Sequence, residues 1–228
     1  MLLNVDGGEL SSEPEELYAL ADVVNVACGG HAGDDASMDR VARACARVGT
    51  RIGAHPSYDD REGFGRRART VEPSALAATI EAQCRRLIAI AGAAGIELVS
   101  VKPHGALYHA VHASDAEARA CVEAIVRAFG ARAAVAVVGL EGGALHRAAL
   151  AAGLTYQREA FADRGVRSNG SLVPRGEPGA LIEDPAEAAT RAKAIAASGD
   201  VDTVCIHGDT EGAVAIARAV RAVLGPKP

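Results

Sequence analysis

The chain has 228 residues, 49% of them hydrophobic, which is enough for one large or two small domains with a full core. Aromatic residues make up only 3% and tryptophan is absent, so the core must be built from alanine, valine, leucine and isoleucine. The net charge of −5 and the absence of a basic stripe in the sequence argue against nucleic acid as a partner.

The cysteines and the N-terminal residues indicate a compartment. Five cysteines occur without a Cys-x-x-Cys pair, which argues against a disulfide framework and a structural zinc site and favours the reducing cytoplasm. Residues 1–6 carry neither a basic leader nor a long apolar region, so we expect no signal peptide. No apolar run approaches the ~20 residues that a membrane-spanning helix needs, so we expect no membrane partner.

Short apolar runs alternate with helical stripes along the chain. Strands are predicted over residues 2–5, 23–27, 51–55, 98–101, 133–138, 155–162 and 201–206. Helices are predicted over residues 14–21, 34–49, 72–91, 114–130 and 142–152, from residue 184, and at the end of the chain. This alternation without a linker predicts one α/β domain, residues 1–228, with a parallel sheet. Seven or eight such units can close into a barrel, and an open doubly wound sheet is the alternative.

Polar residues collect where the predicted strands end. They are Asp6, Glu9, His31, Asp34, His55, Lys102, His104, Glu159, Asp163, Arg164, His207 and Asp209. The carboxyl ends of parallel strands meet at one face, and ligands bind there. We therefore expect one shared site, with His31 near its centre. The remaining histidines, His109, His112 and His146, are predicted at the surface.

Two chemistries fit the strand-end residues, and the sequence leaves both open. Asp6, His31 and His55 could hold a divalent metal at the barrel mouth, or they could form a hydrogen-bonded cluster without a metal. In the other chemistry, Asp6 or Asp209 orients or accepts a proton and a histidine of the set carries it.

Basic residues near the strand ends are candidates for binding anions. Lys102 follows a buried run in a turn that contains proline, and it could hold a carboxylate or a phosphate. Arg61 and Arg66 lie in the long polar loop of residues 57–66, which could contact an anion or form a lid. Arg164 could add an anion contact, and Arg175 is either another contact or part of an ordinary ordered loop. No P-loop or Gly-x-Gly-x-x-Gly motif follows a strand, which weakens a standard nucleotide site.

Several motifs, spread over nearly the whole chain, carry a resemblance to a known family. They are residues 3–6 (LNVD) with 8–9 (GE), 25–34 (NVACGGHAGD), 52–57 (IGAHPS), 60–66 (DREGFGR), 101–108 (VKPHGALY), 161–165 (FADRG), 170–175 (GSLVPR) and 205–209 (CIHGD). In this order they resemble the LamB/YcsF family. The family often has Asp where Leu2 stands and Leu where Gly7 stands, which affects only the first turn.

The resemblance implies a seven-stranded parallel β/α barrel related to polysaccharide deacetylases. It also implies opening of 5-oxo-L-proline to L-glutamate with cleavage of ATP, supplied with Mg²⁺, and it implies two partners, the 5-oxoprolinase subunits B and C. The catalytic candidates for this reaction are Asp6, His31, His55, Lys102, His104 and Asp209. The candidates for binding substrate or phosphate are Glu9, Arg61, Arg66, Asp163, Arg164, Arg175 and His207.

Two other functions remain as alternatives. The first is a metal-dependent amidohydrolase or carbohydrate deacetylase that acts alone through Asp6, His31 and His55. The second is a regulatory binding protein within the complex, without chemistry of its own. It predicts that His31→Ala and Asp6→Asn change assembly and leave turnover of the complex unchanged.

Overall fold

The computed structural model describes residues 1–130, 134–167 and 171–227, and its centre is a closed barrel of seven parallel strands. The strands are β1 (Leu2–Gly7), β2 (Val23–Ala27), β3 (Arg51–His55), β4 (Leu98–Val101), β5 (Ala136–Gly139), β6 (Thr155–Phe161) and β7 (Thr203–His207). Each strand pairs with the next one along the chain, and β7 closes against β1. The prediction of a barrel is confirmed, and the open sheet is excluded.

Helices follow the strands and pack on them and on each other. They are α1 (Glu15–Leu20), α2 (Asp35–Val48), α3 (Pro73–Ala93), α4 (Gly105–Ala113), α5 (Asp115–Phe129), α6 (Ala144–Ala151), α7 (Pro185–Ser198) and α8 (Ala213–Leu224). Within the described parts of the chain, none of them has the length and apolar character to cross a membrane.

Helix α2 shows how local sequence sets the position of an element. The Asp34 side chain accepts a hydrogen bond from the backbone N–H of Ser37, and Ser37 Oγ accepts one from the N–H of Asp34, which makes a reciprocal cap. Met38, Val41 and Cys45 then recur at helical spacing and are fully buried. Gly49 ends the helix in the left-handed conformation, with φ at 67°. The helix therefore begins and ends within one residue of the predicted range 34–49.

Several predicted elements differ from the structure, and three of the differences are the largest. The sequence predicts only a turn after β4, because Pro103 and Gly105 are typical of turns. In the structure the chain continues instead into helix α4. Strand β5 begins at Ala136 instead of residue 133, and β7 covers residues 203–207 instead of 201–206. Ala133 and Gly170, which belong to a predicted strand and to one motif, lie outside the described residues.

The barrel interior is polar although the strands are largely apolar in sequence. Asn4 donates hydrogen bonds to Glu159 Oε1 and Thr203 Oγ1, and Asn25 donates to Asn4 Oδ1 and Asp6 Oδ1, all in the buried interior. Buried polar groups are tolerated when they are hydrogen-bonded to each other. The barrel therefore holds a bonded polar network that leads to the carboxyl ends of its strands.

Candidate active site

The register of the barrel brings the polar strand ends together. Asp6 of β1 is paired with Asn25 of β2 on one side and with His207 of β7 on the other. His55 ends β3 beside Ala27 of β2. The strand-end residues therefore share one face of the barrel, as parallel strands require.

Lys102, which directly follows β4, lies among buried acids at this face. Its Nζ is 2.9 Å from both Asp6 Oδ1 and Glu159 Oε1, and 3.0 Å from Cys205 Sγ. Burial lowers the pKa of Lys102, but Asp6, Cys205 and Glu159 raise it well above its usual value. The side chain is only 2% exposed, and its charge is paired with carboxylates of the protein itself at the wall of the inner cavity.

Two backbone carbonyls fix which nitrogen carries the proton on His55 and His104. His55 Nδ1 lies 2.7 Å from the carbonyl oxygen of Lys102, and His104 Nε2 lies 3.0 Å from that of Phe64. A carbonyl only accepts, so both of these nitrogens donate. In the neutral rings the other nitrogens, His55 Nε2 and His104 Nδ1, then present lone pairs to each other at 2.9 Å.

The Glu9 carboxylate lies beside the two facing nitrogens and adds negative charge there. Its Oε1 lies 3.2 Å from His104 Nδ1, 3.8 Å from His55 Nε2 and 3.0 Å from His31 Nε2. Burial raises the pKa of Glu9, but its hydrogen bonds with His104 and His31 hold the pKa well below its usual value. His31 stacks on His104 with a centroid distance of 3.6 Å, and its Nδ1 has no partner among the described residues.

This arrangement requires a cation between the lone pairs, either a proton or a metal ion. Burial lowers the pKa of His55, but Asp6, whose Oδ2 lies 3.3 Å from His55 Nε2, raises it overall. Burial and the neighbouring His104 lower the pKa of His31 to about 3. Without a metal, the proton therefore resides on His55, where it faces Asp6 and the His104 lone pair.

A metal ion also fits the same atoms. One ligand atom from each of Glu9, His31, His55 and His104 lies within 4.8 Å of all the others. Zinc bonds of about 2.0–2.2 Å in a tetrahedron place ligand atoms roughly 3.4 Å apart, which is close to the separations here. The structure therefore assembles a different set from the predicted Asp6, His31 and His55, because Glu9 and His104 join the two histidines. Asp6 belongs to a second group, with Cys205 and His207.

The long loop of residues 57–66 lies over the histidines. Gly65, with φ at +64°, has its position for a Cβ only 2.8 Å from His31 Cβ and 2.9 Å from His104 Cδ2. Phe64 packs edge-on against both imidazole rings. Arg61 donates to the carbonyls of Gly29 and Gly33 and so fastens the loop to the turn before α2. The loop is therefore packed against the histidines and fastened to the turn before α2.

Gly65→Ala is expected to destabilise the protein by about 2–4 kcal/mol, because the new methyl group combines left-handed strain with a clash against His31 Cβ and the His104 ring. Urea unfolding measures the change. Gly95→Ala is the matched control, since Gly95 has φ at +75° with nothing within 4 Å of the Cβ position. Its cost is expected to be about 1–2 kcal/mol, from backbone strain alone. Equal costs for both variants would contradict close packing of the loop on the histidines.

Two adjoining cavities open above the polar face. The inner one, of about 40 Å³, is lined by Asp6, His55, His104 and His207 among others. The outer one, of about 520 Å³, is lined by four arginines, Arg66, Arg164, Arg167 and Arg175. Arg66, Arg164 and Arg175 line both cavities, so a bound molecule that contacts these arginines also faces the histidines.

The remaining predicted residues divide into three groups. Asp163 binds His207 Nδ1 at 3.0 Å and accepts from its backbone N–H, so it orients that ring. Asp209 is held by Arg66 and Arg175 at the rim, and Arg61 lies away from both cavity linings. His109 is exposed as predicted, whereas His112 and His146 are half-buried, because His146 stacks on Tyr156 and His112 lies in the helical layer. The surface prediction is therefore confirmed for His109, and the other two histidines are partly exposed.

Sequence reasoning misses several residues of the polar network. Tyr108 donates to Glu159 Oε2 at 2.9 Å, and Asn4 and Asn25 tie Glu159 and Asp6 into the same network. The two asparagines could have been found in the sequence, because a single asparagine inside an apolar strand needs a buried hydrogen-bond partner. The carbonyl of Phe64, which fixes His104, leaves no signal in the sequence.

A family model and individual related proteins point to the same family. The sequence model of the LamB/YcsF family matches residues 2–227. The A subunit of the 5-oxoprolinase of Streptomyces griseus is 44% identical, with 98% of this chain and 95% of that protein covered. The A subunit of the 5-oxoprolinase of Methylococcus capsulatus is 43% identical, with 99% and 92% covered.

Solved structures agree with the sequence comparison. The lactam utilization protein from Thermus thermophilus superposes with a TM-score of 0.88 at 36% identity, and the match covers 98% of this chain and 95% of that one. A family 4 carbohydrate esterase from Streptomyces lividans matches at a TM-score of 0.48 and 13% identity, over 98% of this chain and 86% of that one. That likeness is too weak to support an argument.

Proposed function

Because the chain belongs to the LamB/YcsF family, we propose that it is the A subunit of an ATP-dependent 5-oxoprolinase, which opens 5-oxo-L-proline to L-glutamate. Relatives that carry this name match over nearly their full length, and a lactam utilization protein shares the fold. The observation that carries the proposal is a buried histidine–carboxylate cluster that faces an arginine-lined cavity. One group can move protons, and the other can hold anionic substrates.

The proposed reaction needs both properties. Transfer of the terminal phosphoryl group of ATP to the lactam oxygen releases ADP and makes the lactam carbon more electrophilic. Water then adds to that carbon, its proton is taken up, and the carbon–nitrogen bond breaks as the nitrogen becomes the amine of glutamate. A second water releases phosphate from the acyl oxygen, so that the sum consumes one ATP and two waters.

We assign the proton transfers to the residues that line the inner cavity. His55 Nε2 and His104 Nδ1, with Glu9 Oε1 behind them, form a site that exchanges one proton at the cavity wall. Asp6 holds His55 in its protonated form. Burial raises the pKa of Asp6, but His55, Lys102 and His207 together bring it well below its usual value. Lys102 neutralises Asp6 and Glu159, which is a positioning role. His31 supports Glu9 and the His104 ring from behind.

A divalent metal at the same atoms is the alternative to this shared proton, because a histidine nitrogen that binds a metal has no lone pair left to accept a proton. Glu9, His31, His55 and His104 would hold it, and it would supply Lewis-acid activation of water. Mg²⁺ is expected to arrive with ATP. Subunits B and C are the proposed partners, and the cytoplasm is the proposed compartment.

Reconstitution tests the proposed function. The purified chain is mixed with subunits B and C, 5-oxo-L-proline, ATP and Mg²⁺, and glutamate and phosphate are measured together. We expect one phosphate for each glutamate, and no glutamate when either this chain or ATP is left out. Glutamate formation by B and C alone, or no glutamate from an assembled three-subunit complex, would reject the function.

A metal-dependent amidohydrolase that acts alone is the second candidate, and the four converging ligand atoms favour it. Elemental analysis of protein purified without chelators separates the candidates. The second candidate requires about one zinc or manganese per chain and lactam or amide hydrolysis without ATP. Protein without metal, and with unchanged activity after zinc or manganese is added, would eliminate it.

A further inference from the structure

Arg164 is a buried cation without a protein anion. The residue is only 6% exposed, and its Nε and Nη2 donate to the carbonyl oxygens of Ala180 and Val173. No carboxylate oxygen lies within 4.0 Å of its guanidinium nitrogens among residues 1–130, 134–167 and 171–227, since the adjacent Asp163 binds His207 instead. A buried guanidinium normally pairs with an anion, because an unpaired buried charge is costly.

Like charges surround Arg164 and increase this cost. Burial is the largest cause that lowers the pKa of Arg164, and the nearby guanidinium groups of Arg175 and Arg66 lower it further. Asp209 is shared between these two neighbours, at 2.5 Å from Arg66 Nη2 and 3.1 Å from Arg175 Nη2. Three guanidinium groups thus share Asp209 as their one directly paired carboxylate, since Asp163, which raises the pKa of Arg164, is itself hydrogen-bonded to His207. Arg167, further out, is already paired with Glu177 at 2.7 Å.

We propose that Arg164, Arg66 and Arg175 form a binding site for a phosphoryl group in the outer cavity. A terminal phosphate carries a charge of about −1.5 to −2 at pH 7 and therefore compensates a cluster of three guanidinium groups better than a substrate carboxylate, which carries a single charge. Guanidinium groups bind phosphate oxygens through paired hydrogen bonds. Nη1 of Arg164, which donates to neither carbonyl, is the group that the phosphoryl oxygen would contact.

The position of this site fits phosphoryl transfer toward the histidines. All three arginines line the inner cavity as well as the outer one, beside Asp6, His55 and His104. The outer cavity of about 520 Å³ gives room for the rest of a nucleotide chain, and the inner one of about 40 Å³ does not. This inference rests on the proposed function, and it names the residues that hold the terminal phosphate of ATP.

Binding of inorganic tripolyphosphate tests the site without any turnover. Titration calorimetry is carried out on the full chain and on its complex with subunits B and C. Arg164→Gln is expected to raise the Kd at least about tenfold, as the loss of a charge-assisted hydrogen bond implies. Arg175→Gln is a second test if Arg164→Gln does not fold. Arg218→Gln is the control, because Arg218 lies on α8 and pairs with Glu16 far from the cavity.

The outcomes separate this inference from the proposed function. Tripolyphosphate binding that is lost in the Arg164 and Arg175 variants but kept in Arg218→Gln supports the site, even if the complex makes no glutamate. Failure of tripolyphosphate to bind both the chain and the complex overturns the site. So does unchanged binding or unchanged KM for ATP in the Arg164 and Arg175 variants of an active complex. Displacement of tripolyphosphate by equimolar acetate would assign the arginines to a carboxylate and would also overturn it.

Discussion

Asp6→Asn is expected to lower the free energy of unfolding by about 3 kcal/mol and to abolish most of the turnover of the complex. The carboxylate accepts from Lys102 and Asn25 and faces His55, and all of these groups are buried. Removal of one partner from a buried ion pair leaves an uncompensated charge, which costs about 3–5 kcal/mol, and Glu159 retains part of the Lys102 charge here. Urea unfolding and glutamate formation are measured on the same preparation.

A double-mutant cycle isolates the pair. Lys102→Met alone leaves Asp6 and Glu159 facing each other without a cation, whereas Lys102→Met combined with Asp6→Asn removes both charges. The double variant is therefore expected to cost less than the sum of the single variants, by about 1–3 kcal/mol. The exposed i,i+4 pair Asp39 and Arg43 on α2 serves as control, with an expected coupling of only about 0.3–0.5 kcal/mol. Additive costs at Asp6 and Lys102 would contradict a direct buried ion pair.

The same variant distinguishes a catalytic chain from a regulatory one. A regulatory role predicts that Asp6→Asn affects assembly only. In the proposed enzyme, Asp6 raises the pKa of His55, so turnover of the assembled complex falls even under conditions where the variant remains folded. Turnover per assembled complex, determined after size-exclusion chromatography, gives the comparison.

The barrel can be predicted from the sequence because its signals are local. Apolar runs of four to six residues end at polar residues, and caps such as Asp34 mark where helices begin. These patterns locate β2, β3 and β4 at their observed bounds. Helix α4 escapes prediction because Gly105 at its start is typical of a turn, and only packing in the fold shows that the chain continues as a helix.

The sequence predicts which residues belong to the candidate site, but it does not predict which of them pair with each other. The rule that strand ends share a face places Asp6, His55 and His207 together. Which carboxylate meets which histidine depends on distances across the barrel, so no pattern in the sequence favours Glu9 over Asp6 as the partner of His31. The sequence predicts an anionic ligand for Lys102, but its two carboxylate partners come from β1 and β6, which are remote along the chain.

His55→Asn is expected to lower kcat of the complex by about 10²–10⁴-fold, the usual contribution of a group that transfers protons. The asparagine amide can still donate to the carbonyl of Lys102, as His55 Nδ1 does at 2.7 Å, so the anchor of the side chain is retained. What the variant lacks is Nε2, which faces His104 Nδ1, Asp6 and Glu9. The experiment therefore separates the anchoring nitrogen from the one assigned to chemistry.

His146→Asn provides the matched control for His55→Asn. His146 accepts from the N–H of Gly142 and stacks on Tyr156, in the helical layer outside both cavities, so kcat is expected to change less than about twofold. His55→Gln completes the set, because its amide reaches toward the Nε2 position but cannot carry a proton as imidazolium. If His55→Asn turned over at the rate of the unmodified chain, the proton at His55 Nε2 would have no part in the reaction, and the anchor to Lys102 would be its whole role.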